Sequence, residues 1–256
     1  MAIKMIVTDL DRTLLKDDKT ISPYTAQTLE ALRRQGIPLV VATARPPRAV
    51  RQELSFLRYD GAVYHNGAIT VVGDQVVDLY QIDKGQDIVA AILRERPESF
   101  LSVEMGDALY TNMLPQSLMH WRVHQYTPDF HEIAGRQVEK ILISSPEGKA
   151  EDWLAMYKKF IPEELYMQVS ENTLIMVMNR EATKLNGIRR LAKHYAVNLE
   201  EVAAFGDDFN DMEMLCACGV GVAVANAIPE VKAAADEVCG SNEGDGVARW
   251  IEERLL

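Results

Sequence analysis

The sequence has no uninterrupted apolar run of about 18 residues, the length that a membrane-spanning helix requires, and no membrane association is expected. Cysteine is scarce, at 3 in 256 residues. That odd number lacks both a disulfide framework and metal-ligand spacing. Cys216 and Cys218, in "MLCACGVGV", read as small buried hydrophobes. The opening "MAIKMIV" lacks the charged-then-apolar pattern of a secretory signal. A reduced, cytoplasmic setting is the expectation.

Basic residues are also in deficit: 27 Lys and Arg stand against 38 Asp and Glu, for a net charge of −11. Binding to a phosphate backbone needs a basic footprint, so no nucleic-acid partner is expected. Small anions are not excluded, because a local positive site or a divalent cation can attract them. What is present suits a globular protein with a substantial core, at 48% hydrophobic and 25% charged residues.

Strand and helix patterns alternate over the first 65 residues. "IKMIVT", "IPLVVAT" and "GAVYHN" are short apolar runs of the kind buried on both faces of a parallel sheet. Ser22 and Pro23 read as N-cap and first helical position, and Gly36 as a helix stop. Thr25, Leu29 and Leu32 keep helical spacing between them. "GAITVVGDQVVD" is a hairpin turning at Gly73–Asp74. Beyond it, hairpins around Gly106–Asp107 and near Glu171–Asn172 mix with helices in "DIVAAILRER" and "PEGKAEDWLAMYKKF". The alternating pattern resumes at "KLNGIRRLAKHYAV". The fold class is therefore α/β: a doubly wound, Rossmann-like parallel-sheet core with an inserted α+β domain. The core is expected over residues 1–81 and 181–256, and the insert over 82–180.

Asp9 and Asp11 follow the first strand, at the sheet edge where open α/β proteins bind ligands. Residues i and i+2 project to one side, so both carboxylates reach one place, where they repel unless a cation neutralises them. A D-x-D by itself also fits an ordinary turn. Three more strand or helix ends add to it. "VVATARP" ends a strand in Thr43, and "AAFGDDFNDMEML" ends another in Asp207, Asp208, Asn210 and Asp211. Such a polar run is costly beside a sheet without a cation or a hydrogen-bond network. An acidic helix N-terminus explains Asp208. Lys184 opens a helix against the dipole preference, which favours an anionic partner there.

In order, "DLDRT", Thr43 after "VVA", Lys184 and "GDDFND" resemble the four motifs of the haloacid dehalogenase-like phosphohydrolases. The insert of roughly 100 residues, within ordinary domain size, is similar to the cap of the Cof-type subgroup, as are "HNGA" and "GVAVANAIPEVKAAADEV". The resemblance covers essentially the whole chain. It implies a Mg²⁺-dependent phosphatase for small phosphorylated metabolites, such as sugar phosphates or pyridoxal phosphate. In that reading Asp9 is the nucleophile that forms an aspartyl-phosphate, and Asp11 the general acid and base. Mg²⁺ is held by the Asp9 carboxylate, the Asp11 backbone carbonyl and Asp207. Thr43, Lys184, Asn210 and the backbone N–H groups of Leu10 and Asp11 bind the phosphoryl group, and Asp211 orients Lys184 or a metal-bound water. A monomer or weak homodimer is expected.

The chain departs from that pattern at Arg12 and Ala44, where most relatives carry glycine. Arginine costs about 1 kcal/mol if the position requires positive φ. The resemblance puts specificity on the cap, with Glu104, Tyr110 and Asn112 as candidate substrate contacts and Arg45 as one from the core. His120 and His124 lie four apart in "HWRVHQY" and are read as a solvated helix face, since a third ligand is lacking. A phosphomutase of the same superfamily, or a weakened phosphometabolite sensor, is the alternative.

Overall fold

The computed structural model describes residues 2–113, 124–144, 150–170 and 173–256. The chain divides into two compact units. The first comprises Met1–Arg45, Val50–Leu79 and Thr183–Leu256, and the second comprises Pro46–Ala49 and Tyr80–Ala182.

The first unit is built on an eight-stranded sheet. Its strands are β1 (Met5–Thr8), β2 (Leu39–Ala42), β3 (Gly61–Tyr64), β4 (Ile69–Val72), β5 (Gln75–Leu79), β12 (Val202–Gly206), β13 (Val220–Ala223) and β14 (Glu237–Val238). They lie in the order β14-β13-β12-β1-β2-β3-β4-β5. The run from β14 to β3 is parallel, and the β4–β5 hairpin adds antiparallel strands to one edge. Every residue of β1, β2, β3 and β12 is buried. Covered on both faces, these strands are continuously apolar rather than alternating.

From β1 the chain winds outward through α1 (Pro23–Arg34), β2, α2 (Pro47–Glu53) and β3. After the second unit it returns through α5 (Lys184–His194) to β12, on the other side of β1. The strand order reverses between β1 and β12, which creates a switch-point crevice beyond their C-terminal ends. Asp9 follows one of these strands and Asp207 the other. Helices α6 (Met212–Ala217), α7 (Pro229–Ala234) and α8 (Gly246–Leu255) complete the unit.

Local chemistry explains the helix ends. The Ser22 hydroxyl accepts the Thr25 N–H at 3.0 Å, Pro23 occupies the first turn, and Thr25, Leu29 and Leu32 face inward. Gly36 takes φ +76°, the left-handed stop that its position after the helix requires. Thr183 caps α5 by accepting the Asn186 N–H at 3.2 Å. Gly187 lets α5 approach the sheet: a Cβ there would lie 2.6 Å and 2.7 Å from the two methyls of Val63.

The second unit carries a six-stranded sheet in the order β10-β11-β9-β6-β7-β8. Its strands are β6 (Phe100–Met105), β7 (Ala108–Thr111), β8 (His124–Tyr126), β9 (Lys140–Ser144), β10 (Leu165–Ser170) and β11 (Leu174–Asn179). Only the β7–β8 pair is parallel among the described residues. Ile88, Val89 and Ile92 of α3 (Gly85–Glu95) share a core with Leu101, Val103, Ile141, Ile143 and Val177 of the sheet. Helix α4 (Ala150–Tyr157) buries Tyr157, whose hydroxyl lies 2.9 Å from that of Ser99.

One expectation fails here. His124 lies in a strand, not on a helix face: β8 pairs with Leu109–Thr111, and the Thr127 N–H extends the contact to the Thr111 carbonyl. Spacing of i, i+4 without an apolar period carries no helical information of its own. His120 and the turn at Glu171–Asn172 lie outside the described residues.

Replacing Gly187 by valine is expected to destabilise the protein by about 1–3 kcal/mol through overpacking against Val63. Urea unfolding should show a lower midpoint with an unchanged m-value.

Candidate active site

Asp9 leaves β1 with its N–H on the Phe205 carbonyl at 2.9 Å, so the neighbouring strand sets its position. Its side chain is buried and accepts a hydrogen bond from the Lys184 ammonium at 2.6 Å. The same ammonium donates to Asp211 at 2.7 Å. Lys184 itself is only 2% exposed. Burial would lower its pKa, but the Asp211 and Asp9 carboxylates more than offset this and hold it above its ordinary value. Asp9 is raised well above the usual carboxylate range, chiefly by burial. Lys184 opposes that rise, and Asp211 and Asp207 add to it.

Asp211 is fully buried, with both oxygens engaged. One meets Lys184, and the other accepts the backbone N–H groups of Asp207 at 2.9 Å and Asp208 at 3.1 Å. Asp211 therefore shapes the loop and aims the lysine. Gly206 makes room for it: a Cβ there would fall 2.4 Å from the Asp211 Cβ. Asp208 accepts the Phe209 N–H at 2.8 Å, an end-of-helix role. Asp207 accepts the Thr13 hydroxyl at 2.8 Å, and its pKa is raised to about 6, mainly by burial.

Oxygen atoms of Asp9, Asp207 and Asp211 lie within 4.8 Å of one another. Among the described residues, one ammonium, that of Lys184, pairs directly with members of this group. Three carboxylates against one buried cation leave negative charge uncompensated, and the donors are all oxygen. That donor set and charge fit a hard divalent cation.

Asp11 sits differently. The Arg45 guanidinium grips its carboxylate at 2.6 and 2.7 Å, and Lys19 donates to it at 2.8 Å. Burial works to raise its pKa, but these hydrogen bonds outweigh that effect and keep the carboxyl below its usual value. Arg45 also reaches Glu53 at 2.8 Å. Its guanidinium thus bridges Asp11 and Glu53.

Thr43 is buried, and its hydroxyl oxygen accepts the Arg45 N–H at 3.1 Å. Asn210 donates from Nδ2 to Asn66 Oδ1 at 3.0 Å. Leu10 is fully buried, anchoring the turn that carries Asp11. Arg12 has φ +60° and ψ +6°, the left-handed conformation, and its carbonyl accepts the Asn226 amide at 2.7 Å while the side chain is exposed.

The three candidates in the second unit are engaged elsewhere. Glu104 forms a buried bidentate pair with Arg48 at 2.6 and 2.8 Å. Burial brings the neighbouring Lys140 ammonium down to about 8, with Glu104 opposing that fall. Tyr110 belongs to the hydrophobic core of this unit. Asn112 accepts the Leu101 N–H at 2.8 Å and donates to the Ser99 carbonyl at 2.9 Å, so its amide bridges the ends of the hairpin. A polar residue on a strand looks the same in sequence whether it faces a ligand or satisfies a buried neighbour.

Thr13, Lys19 and Asn66 were not assigned a role from sequence. Thr13 had a signal, a hydroxyl two residues beyond Asp11 and directly before Leu14 and Leu15. Lys19 had none, because only the returning loop brings it to Asp11.

Arg12→Gly is expected to raise stability by about 0.5–1 kcal/mol, since relief of the left-handed strain exceeds the added chain entropy. Thermal or urea unfolding at matched pH measures it.

The sequence profile of the haloacid dehalogenase-like hydrolases matches residues 6–251. A Bacillus subtilis relative, the 5-amino-6-(5-phospho-D-ribitylamino)uracil phosphatase YitU, is 29% identical, with 97% of this chain and 96% of that protein covered. A solved haloacid dehalogenase-like hydrolase from B. subtilis superposes with a TM-score of 0.84 at 27% identity, covering 99% of this chain and 100% of the other. The subclass IIB sugar phosphatase BT4131 gives 0.82 at 25% identity, covering 98% of each chain. The α/β core, the second mixed sheet and the full-length match agree: the chain belongs to the haloacid dehalogenase-like hydrolases and is a phosphatase of that family.

Proposed function

We propose that the protein hydrolyses small phosphate monoesters, sugar phosphates or similar metabolites such as pyridoxal phosphate, with Mg²⁺ bound and through an aspartyl-phosphate on Asp9. The observation that carries this reading is the buried Asp9 carboxylate, held at 2.6 Å by Lys184 beside Asp207 and Asp211. Two of the proteins similar to this chain are named for phosphatase activity on a phosphoribitylamino-uracil and on sugar phosphates. Both substrates are small phosphorylated metabolites.

The Asp9 and Asp207 carboxylates and the Asp11 backbone carbonyl would hold the ion. When bound, Mg²⁺ neutralises charge between an anionic nucleophile and an anionic substrate. Lys184 sits against Asp9, where its charge also faces the phosphoryl oxygens, and Thr43 and Asn210 supply further polar contacts. An Asp9 oxygen attacks phosphorus, the bond from phosphorus to the leaving oxygen breaks, and Asp11 gives that oxygen its proton. Asp11 then takes a proton from the water that attacks the aspartyl-phosphate, which releases inorganic phosphate and restores Asp9. To act as an acid, Asp11 must loosen its hold on Arg45 and Lys19, since a carboxylate gripped by both is held as the anion. Three free cysteines are consistent with a reducing, cytoplasmic setting.

Asp9→Asn is expected to abolish turnover of p-nitrophenyl phosphate in Mg²⁺ while far-ultraviolet circular dichroism stays unchanged. Measurable turnover by that variant would remove the nucleophile assignment. Asp11→Asn is expected to separate the two half-reactions. p-Nitrophenyl phosphate, with a good leaving group, should give about one equivalent of p-nitrophenolate in a burst and then turn over roughly 10²-fold slower or worse. An alkyl phosphate should give no burst. Equal steady-state rates for wild type and variant on both substrates would contradict the acid–base role.

A further inference from the structure

The "HNGA" segment at residues 65–68 has no part in the chemistry above, yet its geometry is costly. His65, Asn66 and Gly67 have φ of +49°, +54° and +120°, three positive values in succession. A non-glycine residue in this region costs roughly 1 kcal/mol or more. Asn66 is 2% exposed, and its buried Nδ2 has no hydrogen-bond partner in the structure. An unsatisfied buried N–H costs about 1–3 kcal/mol. Strain and an unpaired donor at one residue are not what stability alone would retain.

The contacts of the segment show what the strained turn achieves. The Asn66 N–H donates to the Thr43 carbonyl at 3.0 Å, and the His65 N–H to the Arg45 carbonyl at 3.1 Å. Asn66 Oδ1 accepts the Asn210 amide at 3.0 Å. Gly67 lies against Thr183, so closely that a Cβ would stand 2.2 Å from the Thr183 carbonyl oxygen. Thr183 caps α5, and Lys184 is the first residue of that helix. One turn of chain therefore touches the segments that carry Thr43, Lys184 and Asn210, which lie at separate strand and helix ends. Asn66 stands at its centre, joined to two of them by hydrogen bonds.

We propose that Asn66 is a positioning residue for phosphate binding, holding the Asn210 side chain and the Thr43 backbone in register around the anion. The inference rests on the reading of Thr43, Lys184 and Asn210 as phosphate binders. Asn66 acts through Asn210 and does not itself touch the substrate. Its left-handed backbone is one that asparagine tolerates and glycine adopts freely. Asn66→Gly thus keeps the turn and removes the amide.

The test is calorimetric titration of the full-length protein with inorganic phosphate in Mg²⁺, and separately with Mg²⁺ alone. Asn66→Gly is expected to weaken phosphate binding about tenfold, the loss of one positioned hydrogen bond to the cradle. Mg²⁺ affinity should stay within about twofold, because the hydrogen bonds of Asn66 go to Thr43 and Asn210 and not to Asp9 or Asp207. Asn210→Ala should show a similar phosphate loss, and the double variant should be no weaker than the worse single one. Asn66→Ser, whose hydroxyl is too short to reach Asn210, should repeat the result if the glycine variant does not fold. Unchanged phosphate affinity in the Asn66 variant overturns the proposal. So does a joint fall in phosphate and Mg²⁺ affinity, or losses that multiply in the double variant. Wild-type protein that binds no phosphate overturns the reading of the site and the inference with it, a result separate from these.

Discussion

The Lys184 ammonium, placed between the Asp9 and Asp211 carboxylates, is the interaction on which the site depends. It joins residues 175 and 27 positions away in the chain, and all three side chains are buried. Removing the lysine would leave two buried carboxylates without their cationic partner, a far larger penalty than the pairs gain by forming. The lysine neutralises only part of the cluster. What remains is negative charge shared by Asp9, Asp207 and Asp211, which adds to the burial that chiefly raises the pKa of Asp9 and brings Asp207 to about 6. The grouped oxygen donors of Asp9, Asp207 and Asp211 could hold a metal ion that would offset this charge.

The other parts of the site exist to keep this cluster in place. Parallel pairing of β1 with β12 brings Asp9 beside the Asp207 loop. Gly206 opens space for the Asp211 side chain, and Asp211 uses its second oxygen to tie down two backbone N–H groups of the same loop. Thr183 caps α5 so that Lys184 begins the helix pointing at Asp9 rather than at solvent. A second, separate ion network of Arg45, Lys19, Glu53 and Asp11 balances its own charge. The two networks give neighbouring aspartates opposite pKa tendencies. Asp9 is pushed up by burial among like charges, and Asp11 is pulled down by its two cations. Carboxylates tuned apart in this way suit the two roles proposed for them, Asp9 as nucleophile and Asp11 as acid–base group.

Much of the core was legible because its signals are local. Apolar runs gave the parallel strands, Ser22 and Pro23 marked the start of α1, and Gly36 marked its end, since capping and left-handed stops depend on a few adjacent residues. Asp9, Thr43, Lys184 and Asp207 stood out because each is a polar residue directly beyond an apolar strand or at a helix start. The second unit was less legible. Glu104 and Tyr110 sit on strands and Asn112 just beyond one, and they serve an ion pair, a hydrophobic core and a hairpin bridge. β8 escaped detection because three residues are too few to show a period, and its pairing with β7 is non-local.

By itself, the sequence determined the alternation of strand and helix, the chemical types at the sheet edge, and the order of motifs that marks the family. Those features follow from local propensity and from which residues tolerate burial. Tertiary structure alone decided which charges meet. That Lys184 joins Asp9 to Asp211, that Arg45 faces Asp11, and that Asn66 reaches Asn210 across 144 residues depends on how strands distant in sequence are brought side by side. A hydrogen bond or ion pair is fixed by distances of about 3 Å, and only the folded packing of β1, β12 and α5 sets distances on that scale.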